Sequence, residues 1–240
     1  LHPVWTVYST FIQRTNDQLA QDLCINANPA VINVMGGGIR SMHDMTHICL
    51  FDIPMLCSIP GLIYLAPATC EEYFAMLAWA IRQDRKPIAL RVPTGGVVHS
   101  DAPVDEDYGY RASYRVAHRG STVAIIAAGS FYQKGEAVRA LLAEQGIAAT
   151  LVNPRYLNEV DAVTLDSLKP DHRLVVTLED GCRDGGFGER IAAYYGTSDM
   201  KVMVGGVKKG LYDRYDAQQL MADNRLLDTQ IVEDIVRVIG

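Results

Sequence analysis

The chain has 240 residues, of which 49% are hydrophobic, and a formal net charge of -6. This length and apolar content suffice for one large core or two modest ones, and the acidic balance gives no electrostatic reason to expect nucleic acid or an anionic membrane as a partner. No apolar run reaches the ~18–20 residues of a membrane helix, and no signal-peptide pattern opens the sequence, so no membrane attachment is predicted.

The cysteines indicate a cytoplasmic protein with reduced thiols. Most of them have apolar neighbours, where a free thiol behaves as a small hydrophobe, and none belongs to a CxxC pair. The five are Cys24, Cys49, Cys57, Cys70 and Cys182.

The first half of the chain alternates between strand and helix patterns. Strands are predicted at 4–8, 29–34, 61–65 and 87–92, and helices at 11–25 and 51–59. A further helix is predicted after Thr69, because Thr69 followed by Glu72 forms a capping-box pattern. Three glycines at 36–38 end the second strand and open a loop that runs through His47.

The second half repeats this alternation after a change of composition. Residues 93–113 are rich in Gly, Pro, Asp and Tyr and have no period, so a boundary there is predicted to divide the chain into domains 1–105 and 106–240. Strands are predicted at 122–127, 148–152, 174–178 and 201–204, and helices at 130–145, 162–169, 187–195, 216–223 and 228–239, with Gly146 ending the first of these helices. The alternation predicts an α/β protein with two three-layer αβα domains and mainly parallel sheets.

Ligands of open parallel sheets bind outside the carboxyl ends of the strands. At the first strand end, the segment from Tyr8 to Arg14 turns into a helix, whose first N–H groups suit anions. Phe11 can stack on a planar ring there, and Arg14 can pair with a phosphate. From the residues alone, the simpler interpretation is favoured, namely a core Phe11 and a solvated Arg14.

The glycine-rich loop concentrates titratable groups. His43, Asp44 and His47 suit proton transfer on a polar substrate, and a mobile loop with solvated histidines is the alternative. The four-residue spacing of His43 and His47 also imitates a zinc-protease motif. That motif requires a helix and a glutamate base, so no metal ligands are predicted here.

Two further motifs lie at later strand ends. Arg91 can hold a substrate phosphate with two hydrogen bonds or pair with a surface carboxylate, and its position does not decide between them. The glycine-rich run 185–188 lacks the full dinucleotide fingerprint, so close helix–sheet packing is the favoured interpretation. Glu179 and Asp180 are expected at the surface or at an interface.

Taken in order, these segments resemble the C-terminal portion of the 1-deoxy-D-xylulose-5-phosphate synthase and transketolase family. The segment from Tyr8 to Arg14 resembles the strand-to-helix junction of the synthase, and the segment from Asp44 to His47 resembles the family's Asp-Gly-Pro-Thr-His loop. The remaining matches follow in the family's order, and they are Phe51-Asp52, Leu65-Ala66-Pro67, Arg91-Val92-Pro93, Val176-Thr177-Leu178-Glu179 and Gly185-Gly186. The resemblance implies a partial transketolase-type pyrimidine-binding domain followed by a transketolase-type C-terminal domain.

The resemblance also implies an activity and a set of site residues. The family transfers a two-carbon or acyl unit from a keto donor to an aldehyde or sugar-phosphate acceptor, with thiamine diphosphate as cofactor. The implied contacts are Phe11 and Tyr8 for the cofactor, Tyr8, Arg14, Arg40 and Arg91 for the substrate, and His47, Asp44 and His43 for catalysis. Thiamine diphosphate and Mg²⁺ would also need an upstream domain, on the same chain or on a separate partner subunit. The fragment alone is therefore expected to be inactive, and a homodimer is expected.

Three departures from the family pattern bear on specificity. The loop is one residue shorter, so counting back from His47 places His43 at the family's aspartate. Gly36 and Thr94 stand where the synthase has arginines, although Arg40 is near. These departures indicate a different sugar phosphate or an unphosphorylated substrate. Two alternatives stay open at this point: the β subunit of a thiamine-dependent 2-oxo acid dehydrogenase, and a non-catalytic dimerisation or regulatory module.

Overall fold

The computed structural model describes residues 2–92 and 94–240, so Leu1 and the predicted motif residue Pro93 lie outside the described part. The strands form two sheets. The four of the first sheet are β1 (Val4–Tyr8), β2 (Val31–Met35), β3 (Ile63–Leu65) and β4 (Ile88–Arg91), and the five of the second are β5 (Arg115–His118), β6 (Thr122–Ala127), β7 (Thr150–Asn153), β8 (His172–Cys182) and β9 (Lys201–Val207).

Helices connect these strands. The first, α1, is a continuous helical segment (9–24), and the others are α2 (Asp52–Leu56), α3 (Cys70–Arg82), α4 (Tyr132–Glu144), α5 (Ala162–Leu168), α6 (Phe187–Tyr195), α7 (Ala217–Asp223) and α8 (Asp228–Ile239). Short 3-10 turns lie at Met45–His47 and Gly129–Phe131. Among the described residues, no helix has both the length and the apolar composition to cross a membrane. The five cysteines are free thiols.

Both sheets are dominated by parallel pairing, as predicted. The first has the order β1-β2-β4-β3 and is parallel throughout, and the second has the order β5-β7-β6-β8-β9. The antiparallel edge strand β5 was not predicted, because its four residues are half-buried or exposed and give no apolar run. The central strands β2 and β6 are mainly apolar and buried, since helices cover both faces of such sheets.

Helix α1 differs from the regular helix that the sequence predicts at 11–25. It begins at Ser9 and passes through a 3-10 turn, Gln13–Thr15, before ending in a π-helical piece, Leu19–Cys24. Two side chains bond to carbonyls of the first turn: Gln13 Nε2 donates to Thr10 O at 2.7 Å, and Thr15 Oγ1 donates to Ile12 O at 2.8 Å. Such local bonds compete with the regular helical pattern and account for the irregularity.

Two predicted caps are confirmed. Thr69 Oγ1 accepts from the backbone N–H of Glu72 at 3.2 Å, although the Glu72 carboxylate accepts from Ala68 N, one residue before the expected position. Gly146 has φ +78, and its N–H and that of Ile147 bond back to the end of α4. The left-handed conformation explains the glycine at this helix end.

The segment that follows β7 joins the second half of the chain to the first sheet. Strand β3 is an edge of the first sheet, and residues 155–158 cover it: Leu157 N donates to Tyr64 O at 2.9 Å, and Ala66 N donates to Arg155 O at 2.7 Å. Each of the two hydrophobic cores combines residues from both halves of the chain. The predicted division at 105/106 falls between β4 and β5 and stays a prediction.

Candidate active site

An exposed aromatic cluster lies at the carboxyl end of β1. Phe11 is 38% exposed, so the interpretation of Phe11 as a core residue is wrong. The guanidinium carbon of Arg14 lies 6.0 Å from the Phe11 ring centroid, and the His47 ring stands perpendicular to Phe11 with a centroid distance of 5.4 Å. We call Tyr8, Phe11, Arg14 and His47 the Phe11 cluster. It brings together four of the residues that the resemblance assigns to the site.

Tyr8 joins this cluster from the last position of β1. Its ring lies against the glycine-rich loop, where a Cβ on Gly36 would stand 2.9 Å from Tyr8 Cδ1. A side chain at Gly36 would therefore displace Tyr8. The Tyr8 side chain nevertheless remains 41% exposed and open to a ligand.

The histidine loop is anchored by the second domain. The His43 ring packs on Tyr215 with a centroid distance of 4.6 Å, and His43 O accepts from Arg214 N at 2.6 Å. Met45 N donates to Asp213 Oδ1 at 3.1 Å, while Asp44 itself is exposed. Nothing in the sequence around 213–215 signals this contact, which pairs residues some 170 positions apart.

The two loop histidines face different neighbours. His43 packs on Tyr215, whereas His47 packs on Phe11 and its Nδ1 lies 2.8 Å from Thr46 Oγ1. Met45–His47 is a 3-10 turn rather than the α-helix that the zinc-protease motif requires. Of the two loop histidines, only His47 therefore belongs to the Phe11 cluster.

Arg91 lies in a buried ion network between the domains. Its Nε donates to Asp52 Oδ2 at 2.7 Å, and its Nη1 pairs with the Asp180 carboxylate. Tyr64 Oη donates to Asp52 Oδ2 at 2.5 Å, and Ser130 Oγ donates to Asp180 Oδ2 at 2.5 Å. We call these five residues the ion network. Arg91 thus pairs with carboxylates that are buried rather than at the surface, and its role as a phosphate contact stays a prediction.

The ion network keeps its charges despite burial. Burial disfavours the charged guanidinium, but the neighbouring carboxylates of Asp180 and Asp52 hold the pKa of Arg91 above its ordinary value. Burial and the adjacent Asp52 raise the pKa of Tyr64 well above its ordinary value. Arg91 therefore stays charged and Tyr64 stays neutral under physiological conditions.

The glycine-rich loop crosses directly over this network. A Cβ on Gly37 would lie 2.9 Å from Arg91 Nε, and a Cβ on Gly38, which has φ +107, would overlap the Asp180 carboxylate. Ile39 N also donates to Asp180 O at 2.9 Å. The sequence suggested that these glycines admit a ligand. In the structure, the groups that approach them closely are the protein's own.

Glu179 is buried, so the expectation of a surface position is wrong. Its carboxylate accepts from the backbone N–H groups of Phe187 at 3.1 Å and Gly188 at 2.8 Å, at the start of α6. Burial raises the pKa of Glu179 to about 8. A Cβ on Gly186 would come within 2.5 Å of Cys182 O, so the 185–188 run shows the close packing that the sequence favoured.

The predicted substrate arginines fall into two groups. Arg14 and Arg40 are exposed, whereas Arg91 is buried. A Cβ on Gly95 would stand 2.8 Å from Arg40 Nη1, and Thr94 Oγ1 donates to Gly37 O at 3.2 Å. Thr94 thus contacts the loop by one hydrogen bond where the synthase pattern has an arginine.

Unsatisfied hydroxyls lie beside Phe11. Within the described residues, the buried Ser9 Oγ and Thr10 Oγ1 have no hydrogen-bond partner. Buried polar atoms are seldom left unpaired in a complete site. An exposed phenyl ring next to unpaired hydroxyls fits a planar heteroaromatic group with polar substituents.

Two family models match the chain. The model of the transketolase pyrimidine binding domain matches residues 1–98, and that of the transketolase C-terminal domain matches residues 112–223. Each matched range contains one of the two sheets.

Curated 1-deoxy-D-xylulose-5-phosphate synthases are similar in sequence. The chain is 35% identical over 216 residues to the Clostridium acetobutylicum synthase, covering 89% of this chain and 34% of the relative. It is 38% identical over 194 residues to the Saccharopolyspora erythraea synthase (80% and 30% covered) and 33% identical over 240 residues to the Crocosphaera subtropica synthase (98% and 37% covered). The chain spans about a third of the length of the curated relatives it matches.

Solved transketolases have the same fold. A split-gene transketolase described as an inactive beta4 tetramer superposes with a TM-score of 0.84 at 20% identity, covering 99% of this chain and 76% of that chain. The Pichia stipitis transketolase in complex with sedoheptulose-7-phosphate superposes with a TM-score of 0.76 at 13% identity, covering 98% and 34%. These structures confirm the predicted α/β fold, and together with the two family models they show that the chain belongs to the transketolase family, of which it carries the pyrimidine-binding and C-terminal domains.

Proposed function

We propose that the chain is the pyrimidine-binding and C-terminal part of a thiamine-diphosphate-dependent transferase of the 1-deoxy-D-xylulose-5-phosphate synthase type. The reaction transfers a two-carbon or acyl unit from a keto donor to an aldehyde or sugar-phosphate acceptor. The observation that carries the proposal is the Phe11 cluster, which places an exposed phenyl ring beside an imidazole and a guanidinium at the carboxyl end of a parallel sheet.

The residues present fit one end of the cofactor. Phe11 would stack on the aminopyrimidine, and the unpaired hydroxyls of Ser9 and Thr10 offer polar partners beside it. When bound, thiamine diphosphate supplies the electron sink for carbon–carbon bond cleavage. Among the described residues, no cluster of carboxylates suits Mg²⁺, so the diphosphate and its metal would be held by the family's other domain.

The substrate would bind on the side of the cluster that faces Arg14, Arg40 and His47. The two exposed guanidinium groups would pair with a phosphate or a carboxylate of the substrate. The His47 imidazole would hydrogen-bond a substrate oxygen and transfer a proton there. We propose catalytic roles for His43 and Asp44 as well, with less support than for His47, because His43 packs on Tyr215 and Asp44 is exposed.

The active form would need a second protein segment. The chain spans about a third of the length of its curated relatives, and the similar split-gene transketolase is described as an inactive beta4 tetramer. We propose that this chain is likewise inactive alone and that a cytoplasmic homodimer completed by an upstream domain or a partner subunit is active.

Cofactor binding tests the proposal directly. Thiamine diphosphate is titrated calorimetrically in the presence of Mg²⁺ into the chain alone and into the chain assembled with the family's diphosphate-binding domain. We expect binding only in the assembly. Pyruvate and sugar-phosphate donors are then compared with a sugar-phosphate aldehyde as the acceptor. Product formation from pyruvate supports the synthase type, whereas oxidative decarboxylation alone would point to the dehydrogenase β subunit.

A matched pair of phenylalanine variants localises the effect. F11A removes the ring of the Phe11 cluster, and F74A removes a ring that is 60% exposed on α3. We expect F11A to weaken cofactor binding by roughly two- to tenfold, since a lost aromatic stack of about 0.5–1.5 kcal/mol corresponds to about that factor. F74A should bind as the unaltered chain does. Equal affinities for the two variants would contradict the proposed role of Phe11.

A further inference from the structure

A second group of chemically active side chains lies away from the Phe11 cluster, at the start of α3. Cys70 and Glu71 are the first two residues of this helix, and the segment after β4 runs alongside them. Cys70 N donates to Val98 O at 2.8 Å, and Ser100 N donates to Glu71 Oε2 at 3.0 Å. These two bonds fix His99, the residue between them, beside the helix start.

Three potential metal ligands meet there. The Cys70 Sγ, one carboxylate oxygen of Glu71 and one ring nitrogen of His99 all lie within 4.8 Å of one another. His99 Nδ1 is 2.6 Å from Glu71 Oε1. Around a tetrahedral zinc ion with bond lengths of about 2.0–2.3 Å, neighbouring ligand atoms are roughly 3.3–3.8 Å apart. Cys70 and Glu71 are half-buried and His99 is exposed, so rotation of the His99 side chain would bring the three ligand atoms to this spacing.

We propose that Cys70, Glu71 and His99 form a binding site for one divalent cation of the zinc class, with water as the fourth ligand. Thiolate and imidazole ligands select soft or borderline cations such as zinc. Mg²⁺ prefers oxygen ligands in octahedral geometry, so this site differs chemically from the Mg²⁺ site that the family uses with its cofactor.

The surroundings suit such a site. His99 and Ser100 lie on a cavity of about 360 Å³ between the domains, which leaves room for a water ligand. Binding would tie the start of α3 to the segment that follows β4.

A second imidazole–carboxylate pair on the same cavity provides a matched comparison. His118 Nε2 lies 3.1 Å from Glu136 Oε1, which gives an imidazole–carboxylate pair without a thiol. Within the described residues, this pair does not belong to any group of three potential ligands. It should therefore bind zinc much more weakly than the Cys70 site.

Zinc binding by the chelator-treated chain tests the proposal. We expect isothermal titration with Zn²⁺ to show one ion per chain, with release of about one proton from the Cys70 thiol that is detected by repeating the titration in buffers of different ionisation enthalpy. Substitution of Co²⁺ should produce a thiolate-to-cobalt charge-transfer band. C70S and H99Q should each weaken binding by roughly 100-fold or more, because even changes outside the ligand shell cost about 10–100-fold.

Two control variants distinguish zinc binding at Cys70, Glu71 and His99 from binding at other thiols and imidazoles. C24S removes a half-buried thiol elsewhere, and H118Q removes the imidazole of the His118–Glu136 pair. Both should bind one Zn²⁺ as the unaltered chain does, and thermal unfolding without metal should show that C70S and H99Q remain folded. Failure of the unaltered chain to bind, retention of binding in C70S and H99Q, or loss in H118Q would each overturn the proposal. Neither thiamine diphosphate nor a partner enters this experiment, so its result is independent of the proposed function.

Discussion

Two sets of residues near the carboxyl edge of the first sheet differ in burial and in how many of their polar groups are paired within the chain. In the ion network, every charged group is buried and paired, and the partners come from both domains. In the Phe11 cluster, the ring, the imidazole and the guanidinium are exposed or half-buried and contact mainly one another. The first set holds the domains together, whereas the second is open to a ligand.

The difference teaches that an arginine at a strand end is not by itself a ligand residue. Arg14 and Arg91 both follow or end a strand of the same sheet, yet only Arg91 meets carboxylates supplied by distant segments. A buried charge is tolerated only when it is paired, so Asp52 and Asp180 determine the role of Arg91. Substitutions at the two sets should therefore affect different properties.

The largest expected effect follows from breaking the ion network. R91M leaves Asp52 and Asp180 buried without a counter-charge, which should lower the free energy of unfolding by about 3–5 kcal/mol. R14M, in the Phe11 cluster, should change it by less than about 0.5 kcal/mol, because Arg14 is exposed. Urea denaturation measures both. Similar losses for the two variants would contradict the division into a structural and an open set.

The glycine-rich loop offers a second way to disturb the network. G38A places a Cβ against the Asp180 carboxylate at φ +107, so backbone strain of about 1–3 kcal/mol combines with a steric overlap. The control is G96A, which has a similar φ of +114 but no neighbouring atom within 4 Å. Denaturation midpoints should fall further for G38A than for G96A. Equal midpoints would mean that strain alone, and not the contact with the network, makes glycine necessary.

Much of the fold was predictable because its signals are local. Apolar runs with helical patterns between them gave the parallel strands, and Thr69 and Gly146 marked helix ends that the structure confirms. The edge strand β5 was missed because its side chains are not consistently buried. The irregular course of α1 was also missed, since it depends on two side-chain bonds to carbonyls rather than on spacing.

The site was predictable only where one short segment contains it. Phe11 and Arg14 lie one turn apart, so the sequence brought them together, whereas their contact with His47 required the resemblance. The environment of Arg91 depends on Asp180, which is 89 positions away, and that of His43 depends on Tyr215. No pattern in a single sequence specifies contacts between such distant positions.

Glu179, a buried carboxyl next to the ion network, should make the stability of the folded chain depend on pH. Because burial raises the pKa of Glu179 from 4.5 to about 8, the folded chain keeps this proton between those pH values while the unfolded chain loses it. The folded state then binds more protons, so the free energy of unfolding falls as the pH rises through this window, by up to about 1.4 kcal/mol per pH unit. Glutamine does not titrate, so E179Q should lose this part of the pH dependence.

Urea denaturation at about pH 5 and about pH 8 measures the effect of E179Q. The loss of one accepted hydrogen bond lowers the stability of E179Q at both pH values. Between pH 5 and pH 8, however, the free energy of unfolding should fall less for E179Q than for the unaltered chain. E144Q, at an exposed carboxyl at the end of α4, should leave the pH dependence unchanged. A parallel pH profile for E179Q and the unaltered chain would show that Glu179 is ionised in the folded state.

The smallest effect on stability, with a large one on turnover, is expected at His47. H47N removes an edge-to-face contact with Phe11 worth at most about 1.5 kcal/mol, so the chain should remain folded. In the assembled enzyme, turnover should fall by roughly 10²–10⁴-fold, because a positioned general acid–base group contributes that factor. H118N removes an exposed imidazole from the second domain and should alter neither property. Unchanged turnover in H47N would show that the Phe11 cluster does not perform the proton transfer proposed for it.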